Sequence, residues 1–151
     1  MNINKAQNEI FRAMLSGKRV RKFEVDDTCV FITADGYNGY VIPYSQVQIN
    51  LAKIADFKSI DLQSIVKEEN LCKLTNEAVV ANFPRRVFLK LKRGEESIFF
   101  DEKLASCFQN PKFYSAGKHQ IIVVTEDISA TRLNEIVGAV LPARVEDKIL
   151  K

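Results

Sequence analysis

Three basic clusters hold the residues of this 151-residue chain whose types and spacing could do chemistry. Lys18, Arg19, Arg21 and Lys22 form one, Arg85 and Arg86 a second, and Lys90, Lys92 and Arg93 a third. Lysine and arginine at this density can neutralise phosphates, the main source of affinity for nucleic acids. From Val87 to Lys92 the residues alternate with the period of a strand. Val87, Leu89 and Leu91 then make an apolar face, while Phe88, Lys90 and Lys92 share the other, where a ring could stack on a base beside phosphate-binding ammoniums. The plainer reading is that lysines on an exposed strand keep a sheet soluble. A formal net charge of only +3, with pI about 8.7, gives little long-range attraction and supports that plainer reading.

Tyr37, Tyr40 and Tyr44 flank a glycine-rich turn, and exposed rings there would anchor a protein interface. Tyrosines also cover sheet edges without any partner. Other reactive chemistry is sparse. His119 is the single histidine, which excludes a His-pair metal site and makes a catalytic triad hard to assemble. Cys29, Cys72 and Cys107 are odd in number, far apart and set among apolar neighbours, so they read as small buried hydrophobes in a reducing compartment. Gly36 and Gly39 belong to a hairpin turn and not to a strand-to-helix phosphate loop. Asp127, Glu146 and Lys148 could supply the two carboxylates and the lysine of a metal-dependent nuclease, holding Mg²⁺ and orienting water. Pro142 intervenes and the last two lie at the chain end, which speaks against it. No catalytic residue and no metal ligand is assigned, and no cofactor is expected.

The elements that must position these residues can be read from hydrophobic period. Ala6, Ile10 and Met14, with Phe11 and Leu15, predict a helix over 4–16, opened by an Asn4–Gln7 capping box and closed by Gly17. The period then falls to two. Strands are expected over 20–25, 28–33, 40–42, 77–83, 87–92, 97–100, 120–125 and 136–141, with turns at Asp26-Asp27, 35–39 and 93–95. Short helices are expected over 61–69, capped by Asp61, and over 101–108; residues 44–60 fit either state. Pro43 and Pro142 each end a strand because proline cannot donate to the ladder.

Two segments echo each other. Val30 to Asp35 and Ile122 to Asp127 both end in threonine, one further residue and aspartate, and the return strands Gly39–Pro43 and Gly138–Pro142 both run from glycine to proline. A duplicated hairpin would give a pseudo-symmetric sheet, although strand–turn–strand ending in proline also recurs by chance. The return segments, Asp35-Gly-Tyr-Asn-Gly-Tyr-Val-Ile-Pro43 and Gly138-Ala-Val-Leu-Pro-Ala-Arg-Val145, resemble small uncharacterised proteins carried by phages and mobile elements of Gram-positive gut bacteria. That resemblance implies a bacterial accessory protein and carries over no catalytic residue and no substrate.

Length and composition bound the rest. The chain is 46% hydrophobic and 27% charged, with no linker tract, so it reads as a single domain over 1–151. It has no stretch of about 20 apolar residues to cross a bilayer and no secretion leader at its start, so a cytoplasmic protein is expected. The sequence therefore predicts an α+β fold: an N-terminal helix packed on a largely antiparallel, twisted sheet of six to nine strands (a rough count). The preferred function is a non-enzymatic interaction module with a protein partner; nucleic acid comes second and the nuclease third.

Overall fold

The computed structural model describes residues 1–35, 38–83, 85–126 and 135–143. Helix α1 spans Ile3–Leu15, and its cap is Asn2, whose side chain accepts from the Lys5 amide at 3.0 Å. The Asn4–Gln7 capping box is thus corrected. Gln7 turns inward instead, donating to the Gln46 carbonyl at 3.0 Å and accepting from the Gln48 amide at 2.7 Å. The end forms as expected: Gly17 sits at φ +73°, with Lys18 N bonded to Ala13 O and Gly17 N to Met14 O, a Schellman closure. Ala6, Ile10 and Ala13 make the buried stripe.

Ten strands follow: β1 Arg21–Glu24, β2 Cys29–Asp35, β3 Asn38–Pro43, β4 Ala55–Ser59, β5 Leu71–Asn82, β6 Arg85–Arg93, β7 Glu96–Asp101, β8 Lys112–Ser115, β9 Ile122–Glu126 and β10 Glu135–Val140. They form one sheet in the order β4-β1-β2-β3-β10-β9-β8-β5-β6-β7. Every pairing is antiparallel except β1 with β4. The fold is the expected α+β, with α1 against one face. That face buries Val30, Ile32, Ile42, Ile98, Phe100, Ile122 and Val124. The opposite face buries Phe23, Phe31, Val41, Val123 and Ala139 beneath Leu62, with Ile60, Ile65 and Val66 alongside.

The segment that covers this second face is not the expected helix. Two 3-10 turns, Gln63–Ile65 and Glu68–Asn70, are separated by Lys67 in extended conformation (φ −130°, ψ 150°). Asp61 still caps the first, accepting from Ser64 N at 3.1 Å. Likewise 101–108 holds a single 3-10 turn, Glu102–Ala105, capped by Asp101.

The two echoing hairpins lie back to back at the centre of the sheet. β3 and β10 pair through Tyr40↔Gly138 and Gly39↔Ala139, so each glycine faces the residue equivalent to its own successor. Thr33 and Thr125 are both fully buried. The echo stops short of identity, since an irregularity between Ile136 and Gly138 pairs Gly138 with Val124, whereas Gly39 pairs with Thr33. Beside this seam Glu126 is buried; its carboxylate holds the Met1 ammonium and accepts from Gln109 N at 2.6 Å.

Candidate functional site

The second hairpin becomes an arm. β5 pairs with β8 only through Leu71 and Cys72, and β7 reaches only as far as Phe88 on β6. The pairs Val80↔Val87, Ala81↔Arg86 and Asn82↔Arg85 therefore have no strand on either side among the described residues. Three such pairs carry the ribbon about 10 Å past the end of the sheet. Phe83, at the connection, is 97% exposed. Leaving such a ring in water forgoes roughly 1.5–3 kcal/mol of burial. Arg85 and Arg86, both exposed and consecutive in a strand, project to opposite faces of the ribbon. The tip is thus an apolar ring followed by a guanidinium on each side.

Below the tip the arm carries a bulge. Between the pairs Leu74↔Leu91 and Ala78↔Leu89, three residues of β5 oppose Lys90 alone. Thr75 Oγ1 donates to the Lys90 carbonyl at 3.0 Å and accepts from Glu77 N at 3.2 Å. The Lys90 ammonium reaches the Glu77 carboxylate at 2.5 Å, and this contact holds the Glu77 pKa below its ordinary value. Lys90 is thereby neutralised. Phe88 does share the parity of Lys90 and Lys92, but it is 6% exposed and closed to a base, which corrects the stacking role expected of it.

Lys92 behaves otherwise. It stands directly opposite Lys73 on β5. Lys112, on the neighbouring β8, lies near this pair. Together they line an open cleft with Leu71, Cys72 and Gly94.

The remaining candidates scatter. Lys18 and Arg19 are exposed, whereas Arg21 and Lys22 are half-buried, with Lys22 Nζ bonded to the Leu51 carbonyl. β1 is second from one edge and β6 second from the other. Seven strand steps, about 34 Å across the sheet, separate the two basic clusters, so they do not merge. The tyrosines do not cluster at the surface. Tyr40 is 7% exposed, packs its ring 5.7 Å from Phe108, and accepts from the Cys107 thiol. Burial first, with Cys107 second, pushes its phenol pKa well up. Tyr44 is half-buried, and Tyr37 lies outside the described residues. His119 is exposed, Cys72 and Cys107 are buried free thiols, and Cys29 is a half-buried one. Asp127, Glu146 and Lys148 lie outside the described residues, and among those described no three His, Cys, Asp or Glu side chains gather as metal ligands. No described helix is long and apolar enough to cross a membrane.

Sequence reasoning missed Phe83, Lys73 and Lys112. The Asn82-Phe83-Pro84-Arg85 string was a legible tight-turn signal. The lysine-lined cleft, in contrast, depends on the pairing of β5 with β8, across about 40 residues of sequence, which no local pattern encodes. No family model, curated protein or solved structure matches the chain.

Proposed function

We propose that this protein is an interaction module that binds nucleic acid through the β5–β6 arm. The observation that carries this reading is the tip: a fully exposed Phe83 beside Arg85 and Arg86, on a ribbon that clears the sheet. An apolar wedge with adjacent cations suits unstacking of a base step while the guanidiniums bind the flanking phosphates. A second reading keeps a protein partner but moves it from the tyrosines to α1, where Phe11 and Leu15, one turn apart, are 53% and 73% exposed.

The test is a fluorescence-anisotropy titration of labelled DNA and RNA at several salt concentrations. Arg85→Ala/Arg86→Ala should reduce the slope of log K against log salt by roughly 2, one phosphate for each guanidinium. Phe83→Ala should weaken binding by roughly 5- to 100-fold and leave the slope alone. Absence of binding at low salt would sink this reading, and Phe11→Ala/Leu15→Ala in co-purification would become the experiment of choice.

A further inference from the structure

We infer that the cavity between the end of α1, the β2–β3 hairpin and the 3-10 turn Glu102–Ala105 is a binding site for a small phosphate monoester. It encloses about 310 Å³, the lower end of the range for small-molecule sites. Three cations from separate parts of the chain line it: Arg12 of α1, Lys18 just beyond the helix, and Lys103 of the 3-10 turn. Glu9 is the one carboxylate in the lining, and it pairs with Arg12 at 3.6 Å. Lys18 and Lys103 are exposed, and neither ammonium has a carboxylate partner among the described residues. Three positive charges against one negative make a site that suits a dianion.

Cations at the C-terminus of a helix ordinarily serve its open carbonyls. Here those carbonyls are already taken. Arg12 O accepts from Ser16 N at 2.9 Å and from Ser16 Oγ at 2.8 Å, Ala13 O from Lys18 N at 2.9 Å, and Met14 O from Gly17 N at 3.2 Å. The helix end therefore makes no demand on the Lys18 ammonium, and Lys103 comes from another element altogether. Ala13, Ala34 and Leu104 supply the apolar part of the lining, Ala13 buried and the other two half-buried. A ligand with a short apolar body gains burial there that a bare phosphate cannot. Charge sets the class further: a phosphate monoester carries close to two negative charges at neutral pH, whereas each phosphate of a nucleic-acid backbone carries one. The cavity thus fits a free monoester better than a strand, and it is independent of the arm and of the nucleic-acid reading.

The experiment is isothermal titration calorimetry of the whole chain at about pH 8, with phenyl phosphate (a dianion there), inorganic phosphate and phenol as probes. Phenyl phosphate should bind saturably, roughly 5-fold or more tightly than inorganic phosphate, and phenol should not bind. Lys18→Gln/Lys103→Gln should weaken phenyl phosphate by roughly 10-fold or more, and Lys18→Arg/Lys103→Arg should hold it within roughly 3-fold of the wild type. Glu9→Gln removes the repelling carboxylate and releases Arg12, so affinity should rise by roughly 2- to 5-fold, a gain that misfolding cannot imitate. Arg85→Ala/Arg86→Ala should leave phenyl phosphate binding unchanged, which keeps this site and the arm apart as separate results. No saturable binding of phenyl phosphate, inorganic phosphate bound just as tightly, equal binding by the double glutamine variant, or displacement by an unphosphorylated oligonucleotide would each overturn the inference.

Discussion

Gly138→Ala tests the central seam most directly. A β-carbon added there would lie 2.5 Å from the Gly39 carbonyl oxygen and 2.7 Å from Cζ of Phe108. Even a weak C–H···O contact needs about 3.3 Å between heavy atoms, so both the β3 backbone and the ring must yield. The ring can turn aside, but β3 is pinned between β2 and β10, so the backbone shift carries most of the strain. Overpacking of this kind costs about 1–3 kcal/mol. Displacing Phe108 also loosens its contact with Tyr40, worth about 0.5–1.5 kcal/mol. Alanine restricts the unfolded chain and returns about 0.4–1 kcal/mol. The net expectation is a loss of about 2 kcal/mol, within a range of about 0.5 to 4.

Urea titration followed by far-ultraviolet circular dichroism should show this as a midpoint lower by roughly 1 M. The melting temperature should fall by roughly 4–8 °C. Phe108→Ala alone should cost about 3–5 kcal/mol. In the double variant the two losses should fall short of additivity by at least about 0.5 kcal/mol, because one clash disappears with the ring. A Gly138→Ala protein as stable as the wild type, or a strictly additive double variant, would refute the close-approach reasoning.

Glu126→Ala strands a buried ammonium and the Gln109 N–H, so it should destabilise by about 3–5 kcal/mol. Glu126→Gln keeps an acceptor for Gln109 and should cost less, and equal losses in the two variants would contradict a contribution from the Gln109 hydrogen bond. Tyr40 has its pKa raised in the fold by burial, so its contribution to stability is complete below about pH 10 and falls as pH rises above that. Alkaline unfolding of wild type should therefore be steeper above about pH 10 than that of Tyr40→Phe, by up to about 1.4 kcal/mol per pH unit in circular-dichroism stability curves. Identical slopes would show that the phenol titrates freely.

The helix, its glycine closure and most strands were legible because they depend on local period. Ala6, Ile10 and Ala13 share one stripe whatever lies against them. What failed depended on distant partners. Leu62, Ile65 and Val66 have helical spacing, yet they are drawn onto Phe31 and Val123 of the opposite face, and two short turns meet that need better than one helix. β8 is four residues long and becomes a strand only between β5 and β9. Tyr40 looked like a surface ring because glycine and asparagine precede it, while its burial follows from pairing with Gly138, almost 100 residues later. The arm tip was present as a turn motif, but its exposure came from strands that end before reaching it.

The place of β10 has a kinetic consequence. It is the last strand among the described residues and it sits between β3 and β9, so it joins two half-sheets that cannot meet without it. β3 is complete at Pro43 and β10 at Val140. During synthesis at about 5–20 residues per second, the β3 edge therefore waits about 5–20 s for its partner. For that interval Tyr40 and Ile42, buried in the finished fold, belong to an open edge that another nascent chain could pair with. Few contacts in the seam are local, which also places refolding among the slow, topology-limited cases. Slowing translation before β10 should raise the aggregated fraction, and a chain ending before Glu135 should yield two half-sheets with hydrophobic edges and no closed core.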